Sequence, residues 1–300
     1  MLFAAAFAVL TLLVFFRKSS ASHASIQAYD YSGWSEYLGG PDRNHYSSLT
    51  QITPENVQQL QVAWMYQMPD SGQIQTNPIV VDGVLYGISP SVQAFALDAA
   101  SGKEIWRFGD PLKSWASTGR GVTYWTDGKS DRRIFHTIGP KLYALDALTG
   151  QPIPTFGKNG AADLHAGLGE NAQDKFVISN TPGTLFDDLL IMPVRLSEEA
   201  DAAPGDVRAF DVRTGSVRWS FHTIPHPGEN GYDTWPTDAF TNTWTGAAFL
   251  MTFTVDSGAV KTCSPTACWR SMPERAGGSG TFSLSTTISG TGICPRRPIS

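Results

Sequence analysis

Ala96-Leu97-Asp98-Ala99-Ala100-Ser101-Gly102-Lys103-Glu104-Ile105-Trp106 is the stretch on which the fold turns, because the chain writes it more than once. Ala144-Leu145-Asp146-Ala147-Leu148-Thr149-Gly150 repeats its first half, and Ala209-Phe210-Asp211-Val212-Arg213-Thr214-Gly215-Ser216-Val217-Arg218-Trp219 repeats it to the end. The aspartates are 48 and then 65 residues apart, the spacing of whole structural units rather than of a local motif. Each unit follows a β-rich stretch: residues 79–86, 134–138 and 185–194. The physical reading is a hairpin. A strand ends near the aspartate, Asp and Ser/Thr bond the turn locally, and Gly takes a backbone conformation with φ above zero. The returning strand then brings a Trp to a neighbouring sheet. Asp98, Asp146 and Asp211 should occupy equivalent turn positions, with Trp106 and Trp219 packed between sheets. Four-stranded antiparallel sheets stacked radially make an all-β propeller; a β-sandwich with similar hairpins is the alternative. Val62-Ala63-Trp64 has the character of a closing Trp from an earlier blade.

Composition agrees. The 300 residues are 11% aromatic with nine Trp, only 16% charged, and contain 29 Gly and 19 Pro, which excludes disorder, coiled coil and a helical bundle. A net charge of −5 lacks the basic excess of a nucleic-acid binder. All three cysteines, Cys263, Cys268 and Cys294, lie past residue 262, so no disulfide or thiolate metal site can form before it.

The N-terminus is different material. Residues 1–16 form an uncharged run, apolar but for Thr11, that stops at Arg17-Lys18, short for a spanning helix and suited to a signal-peptide core. Small residues at Ala21-Ser22-His23-Ala24 suit a cleavage site. Residues 1–24 are therefore expected to be a signal peptide or membrane anchor that places the body in the periplasm, exported or inner-membrane-anchored. The positive charge follows the run instead of preceding it, so further residues are expected upstream.

The Asp-Ala-x-Thr/Ser-Gly-x-x-x-Trp unit resembles the tryptophan docking motif of quinoproteins, the dehydrogenases that use pyrroloquinoline quinone (PQQ). Trp34-Ser35-Glu36-Tyr37-Leu38-Gly39-Gly40 with Asn44-His45-Tyr46-Ser47 is similar to their opening segment. Arg208-Ala209-Phe210-Asp211 through Phe221-His222-Thr223-Ile224-Pro225-His226-Pro227-Gly228-Glu229 resembles the branch of membrane-type glucose, quinate and polyol dehydrogenases. The resemblance spans residues 33–248 and implies about half of an eight-bladed β-propeller with PQQ and Ca²⁺ on its axis. It also implies an alcohol, polyol or aldose substrate and a membrane quinone as electron acceptor. A non-catalytic propeller scaffold of the cell envelope is the alternative of another class.

Carried over residue by residue, the resemblance assigns Arg120, in Gly119-Arg120-Gly121-Val122-Thr123-Tyr124-Trp125, to the cofactor carboxylates, and a bidentate guanidinium suits a polyanionic quinone. Glu198, in Arg195-Leu196-Ser197-Glu198-Glu199, matches the glutamate that ligates calcium, a hard ion that wants carboxylate oxygen. Gln75, Ser179 and Ser197 fall at polar cofactor contacts. The bland readings are an exposed Arg120, a solvated acidic turn of Glu198, Glu199 and Asp201, and ordinary strand-end hydrogen bonds for Gln75 and Ser179. His222 and His226 read as loop residues beside Pro225 and Pro227 rather than as a metal pair.

The rest of the family's site is not in the sequence. After Thr241-Asn242-Thr243-Trp244-Thr245-Gly246-Ala247 the family continues to a Trp that lies on the quinone, then to a calcium-ligating Asn and an Asp general base; here Ala248-Phe249-Leu250 follow. Residues 249–300 are expected to be out of frame and poorly ordered. Cys268 to Ala276 can be encoded TGC TGG CGC TCG ATG CCC GAA CGG GCG, which from its third base reads Leu-Ala-Leu-Asp-Ala-Arg-Thr-Gly, the blade repeat. In that frame residues 251–257 can encode Asp-Phe-Tyr-Gly-Gly, and 284–295 a string resembling the segment of the catalytic aspartate. A loop-rich extension is the alternative. With no catalytic base in residues 25–248, the chain as written is expected not to turn over substrate.

Overall fold

The computed structural model describes residues 29–112, 118–199 and 202–240. The apolar N-terminal run, the tail from 249 and Asp201 lie outside them. Three four-stranded antiparallel sheets follow one another along the chain. The first comprises β1 (Ile79–Val81), β2 (Val84–Ile88), β3 (Ala94–Asp98) and β4 (Glu104–Phe108), paired in chain order. The second comprises β5 (Thr123–Thr126), β6 (Arg132–Ile138), β7 (Lys141–Asp146) and β8 (Ala161–Asp163). In the third, β9 (Val177–Ile178) precedes the sheet proper of β10 (Thr184–Phe186) and β11 (Leu189–Met192). Then β12 (Arg195–Leu196) pairs back with β9, and β13 (Val207–Asp211) and β14 (Val217–Phe221) complete the sheet. The sheets do not close on themselves, so this is a partial β-propeller. No helix among the described residues is long and apolar enough to cross a membrane.

The repeat is the β3–β4, β7–β8 and β13–β14 turn, and its three copies superimpose bond for bond. Gly102, Gly150 and Gly215 have φ of 70°, 70° and 72°, and their N–H groups donate to the carbonyls of Asp98, Asp146 and Asp211 at 2.8 Å each. Each aspartate Oδ1 also accepts from the backbone N–H three residues on: Ser101 at 2.7 Å, Thr149 at 2.8 Å, Thr214 at 2.8 Å. The hydroxyls of the same three residues donate to it as well. These bonds hold the Asp98 carboxyl below the usual range, Ser101 being the main cause.

Alternation along the strands gives each sheet two apolar faces. In the second sheet Ile134, Leu145 and Ala147 pack against Ile79, Tyr86, Ala94, Ala96 and Trp106 of the first. Its Phe135, Leu142 and Ala144 face Leu190, Met192 and Phe210 of the third. Trp106, 8% exposed, reaches across to the second sheet, where its Nε1–H donates to the Ala147 carbonyl at 2.9 Å and its ring covers Gly150. Trp64 repeats this on the first sheet: its Nε1–H donates to the Ala99 carbonyl at 3.1 Å and its ring covers Gly102. Trp219 is half-buried on the far face of the third sheet beside Ile191, Val207 and Ala209. Among the described residues no further sheet packs on it, so its expected place between two sheets lies outside them.

The second sheet carries no Trp at this place, and two residues share its work. Phe156, fully buried, lies against Gly215, with its Cε1 3.2 Å from where a Cβ would stand. Arg133 supplies the donor: its Nη1 binds the carbonyls of Val212 at 3.0 Å and Arg213 at 2.9 Å. Val212 is the residue after the turn aspartate, so its carbonyl corresponds to those of Ala99 and Ala147.

Candidate functional site

The innermost strands β1, β5 and β10 each begin after a short polar segment, and the structure brings these three segments together. They are residues 75–77, 118–121 and 179–181. Asn77 and Thr181 precede Pro78 and Pro182, and a residue before proline is held extended. The segments are then joined by backbone: the Asn77 N–H donates to the Arg120 carbonyl at 2.8 Å, and the Arg120 N–H donates to the Asn180 carbonyl at 2.8 Å. Gly121 sits where they converge. Its φ is +150°, and a Cβ there would lie 2.9 Å from the Asn77 carbonyl oxygen and 3.3 Å from Pro182. Any side chain would push the sheets apart, so the sequence needs glycine here.

Arg120 is half-buried, and its Nη1 donates to the Thr181 hydroxyl at 3.1 Å. Ser179 is buried; its hydroxyl donates to the Thr181 carbonyl at 3.0 Å, and its own carbonyl accepts from the Thr137 hydroxyl at 2.8 Å. Gln75 is half-buried, and its carbonyl accepts from the Asn77 side-chain amide at 3.3 Å. Three of the residues singled out from the sequence, Gln75, Arg120 and Ser179, therefore stand on adjoining segments.

Ser197 and Glu198 belong to a different element. They follow β12, whose antiparallel register pairs Arg195 with Ile178 and Leu196 with Val177, so the chain beyond Leu196 heads toward Phe176 and away from Ser179. Ser197 Oγ accepts from the Glu199 N–H at 3.1 Å, and Glu198 is exposed. His222 and His226 stack with centroids 3.7 Å apart and planes 7° apart, while His222 Nδ1 lies 2.8 Å from Glu229 Oε1.

Sequence reasoning missed Thr181, Asn77 and Tyr37. The signal for the first two was a polar–proline dipeptide ahead of an inner strand. Tyr37 packs 3.4 Å from the Cβ position of Gly121, beside the Arg120 backbone, and Arg43 lies over its ring at 5.4 Å. Burial raises the Tyr37 phenol above its ordinary value, and the charges of Arg120 and Arg43 oppose that rise. Two guanidinium groups thus bear on one side of the inner strands. Burial likewise raises the Glu36 carboxyl, with Arg43 opposing.

A polycarboxylate cofactor fits the Arg120 side: a guanidinium braced at one nitrogen by Thr181 keeps a fork of donors for carboxylate oxygens. Calcium asks for more ligands than the described residues group together. It takes roughly 6–8 oxygen ligands, and among the described residues no three His, Cys, Asp or Glu side chains are grouped to hold a metal.

A family profile described as "PQQ: Glucose/ethanol/alcohol dehydrogenase, beta-propeller domain" matches residues 34–259. The quinate/shikimate dehydrogenase (quinone) of Acinetobacter baylyi is 27% identical over 254 residues, covering 72% of this chain and 31% of that protein. The dehydrogenase subunit of the alcohol dehydrogenase (quinone) of Komagataeibacter europaeus is 31% identical over 273 residues, covering 88% of this chain and 33% of that protein. This chain thus spans about a third of the length of the relatives it matches. Among solved structures, the quinohemoprotein alcohol dehydrogenase of Comamonas testosteroni shares the fold, with a TM-score of 0.54 and 24% identity over 67% of this chain and 28% of that one.

Proposed function

The chain belongs to the PQQ β-propeller family of glucose, ethanol and alcohol dehydrogenases, and from that premise we propose that it is part of an oxidoreductase acting on an alcohol, polyol or aldose. Its electrons go to a quinone, as the names of the Acinetobacter and Komagataeibacter relatives say of those proteins. The observation that carries this reading is Arg120, fixed by backbone bonds to segments 75–77 and 179–181 at the convergence of three inner strands. When bound, PQQ supplies a two-electron acceptor. Arg120 binds its carboxylates, Thr181 sets the plane of the guanidinium, and Gly121 lets the segments close behind it. Gln75, Ser179 and Ser197 add polar contacts. Ca²⁺ enters through Glu198 only with further ligands that the described residues do not supply. The apolar run at 1–16 supports export to, or anchoring at, the periplasmic face of the inner membrane.

The test is PQQ binding by the chain, followed by absorbance. Replacing Arg120 with Ala removes charge-assisted hydrogen bonds and should weaken binding about 10- to 100-fold, whereas Gln75→Ala should change it only two- to threefold, roughly one neutral hydrogen bond. Dye reduction with glucose, quinate or polyols should stay at the free-cofactor background. Equal binding by wild type and Arg120→Ala would overturn the assignment.

A further inference from the structure

A cavity of about 280 Å³ lies where loops of the first and second sheets, at Val92 and at Gly139-Pro140, meet the segment 175–180 that carries β9. Its walls are largely apolar: Val92, Leu112, Pro140, Phe176, Val177 and Ile178. It also touches Asn180, which bonds the Arg120 backbone, and Thr118 and Ser179 on the same two segments. The Asn180 carbonyl accepts the Arg120 N–H, and the Asn180 amide donates to the carbonyl and hydroxyl of Thr118. The cavity's polar groups bond largely to one another: the Thr137 hydroxyl donates to the Ser179 carbonyl, and His165 bonds Asp163 and the Lys175 carbonyl. A sugar or polyol, which demands a hydrogen bond for each hydroxyl, finds few partners there. The Thr118 hydroxyl accepts from Asn180 and keeps its own proton to donate.

We propose that this cavity receives the ring of the benzoquinone-type electron acceptor. The proposal rests on the dehydrogenase reading above and gives its acceptor a place. The volume is just below the usual range for ligand sites, roughly 300–1,000 Å³, and suits one substituted ring. The walls offer apolar contact to both faces of the ring, and Thr118 offers a donor to one carbonyl. Phe176 keeps 37% of its surface in solvent, so an isoprenoid tail can leave beside it. The balance is simple: the substrate alcohol loses two electrons and two protons and becomes a carbonyl. The acceptor's two carbonyls gain both and become hydroxyls, and the hydroquinone departs.

The experiment is photolabelling of the full chain, without cofactor, by an azido-substituted dimethoxybenzoquinone. Label should concentrate in the tryptic peptide 176–195. Ile178→Trp and Leu112→Trp fill the cavity from opposite walls, and each should cut that label about tenfold while leaving Arg120-dependent PQQ binding unchanged. Label spread over the exposed surface, or unaffected by both substitutions, overturns the cavity assignment and leaves the dehydrogenase reading standing. Cavity label without any Arg120-dependent PQQ binding overturns the dehydrogenase reading and, with it, the acceptor role.

Discussion

The joint between the first and second sheets has an aromatic core, with an ion pair of Arg132 and Asp82 at 3.8 Å on its exposed rim; the joint between the second and third is built on two buried arginines. At the first, Trp106 meets Gly150 and the Ala147 carbonyl, the Tyr86 hydroxyl shares that carbonyl at 3.2 Å, and His136 Nε2 donates to Val92 at 2.8 Å. At the second, Arg133 takes the corresponding carbonyl, with Asp131 at 2.7 Å neutralising it. Arg208, with 0% exposure, donates to the Leu164 and Ala166 carbonyls. Burial lowers the Arg208 guanidinium to about 10, still charged at neutral pH. The comparison teaches that the docking position is defined by a carbonyl and a glycine. One indole can satisfy both, or a ring and a separate donor can divide them.

Truncating the indole is the strongest way to break the first joint. Trp106→Ala should lower unfolding free energy by about 3–5 kcal/mol, read from denaturant melts. Trp106→Phe keeps a ring over Gly150 and leaves Tyr86 on the Ala147 carbonyl, so the loss should fall to about 1–2 kcal/mol. Equal losses would mean that the ring contributes nothing beyond its N–H.

A second difference between the joints is their response to acid. Burial pushes the His136 imidazole down to about 4, with its bond to Val92 opposing. The folded value lies below that of the unfolded chain, roughly 6.5, so stability is complete above that pH. It falls as the unfolded state takes up a proton that the native state refuses. The loss should reach about 3 kcal/mol by pH 4. His136→Gln, which can still donate to Val92, should flatten the pH 6.5–4 slope. An unchanged slope in that variant would assign the acid sensitivity elsewhere.

The smallest of the three effects sharpens the second joint. Arg133→Met strips donors from the Val212 and Arg213 carbonyls and unpairs Asp131, but it also relieves the burial of a charge. The net cost should be about 2 kcal/mol. If Arg133→Met were neutral, Phe156 alone would hold the third sheet's turn.

Much of the fold was legible because its turns are local. Asp98, Ser101 and Gly102 complete their bonds within a few residues, so spacing and residue type suffice to read them. The same holds for Asp146 to Gly150 and Asp211 to Gly215. Trp64 and Trp106 were legible as closing residues because each ends a recognisable unit. Arg120 was legible only through resemblance, and its bracing was not legible at all. Thr181 and Asn77 are 61 and 43 residues from it, and the proline after each marks an extended residue without saying what it bonds. Ser197 and Glu198 were legible through the same resemblance, and the β9–β12 pairing that carries them joins segments 17 residues apart.

The sequence by itself determined the hairpins, the period-two strands with two apolar faces, and the partial propeller that three such units imply. Only the tertiary structure decided that Phe156 and Arg133 would meet at Gly215 and Val212, that Gly121 would stand where three inner strands begin, and that a cavity would open where loops of two sheets meet the segment of β9. The physical reason is range. A turn is closed by bonds between near neighbours, whose identities are written side by side. A docking site depends on how whole sheets come to rest, which the packing of many side chains sets together.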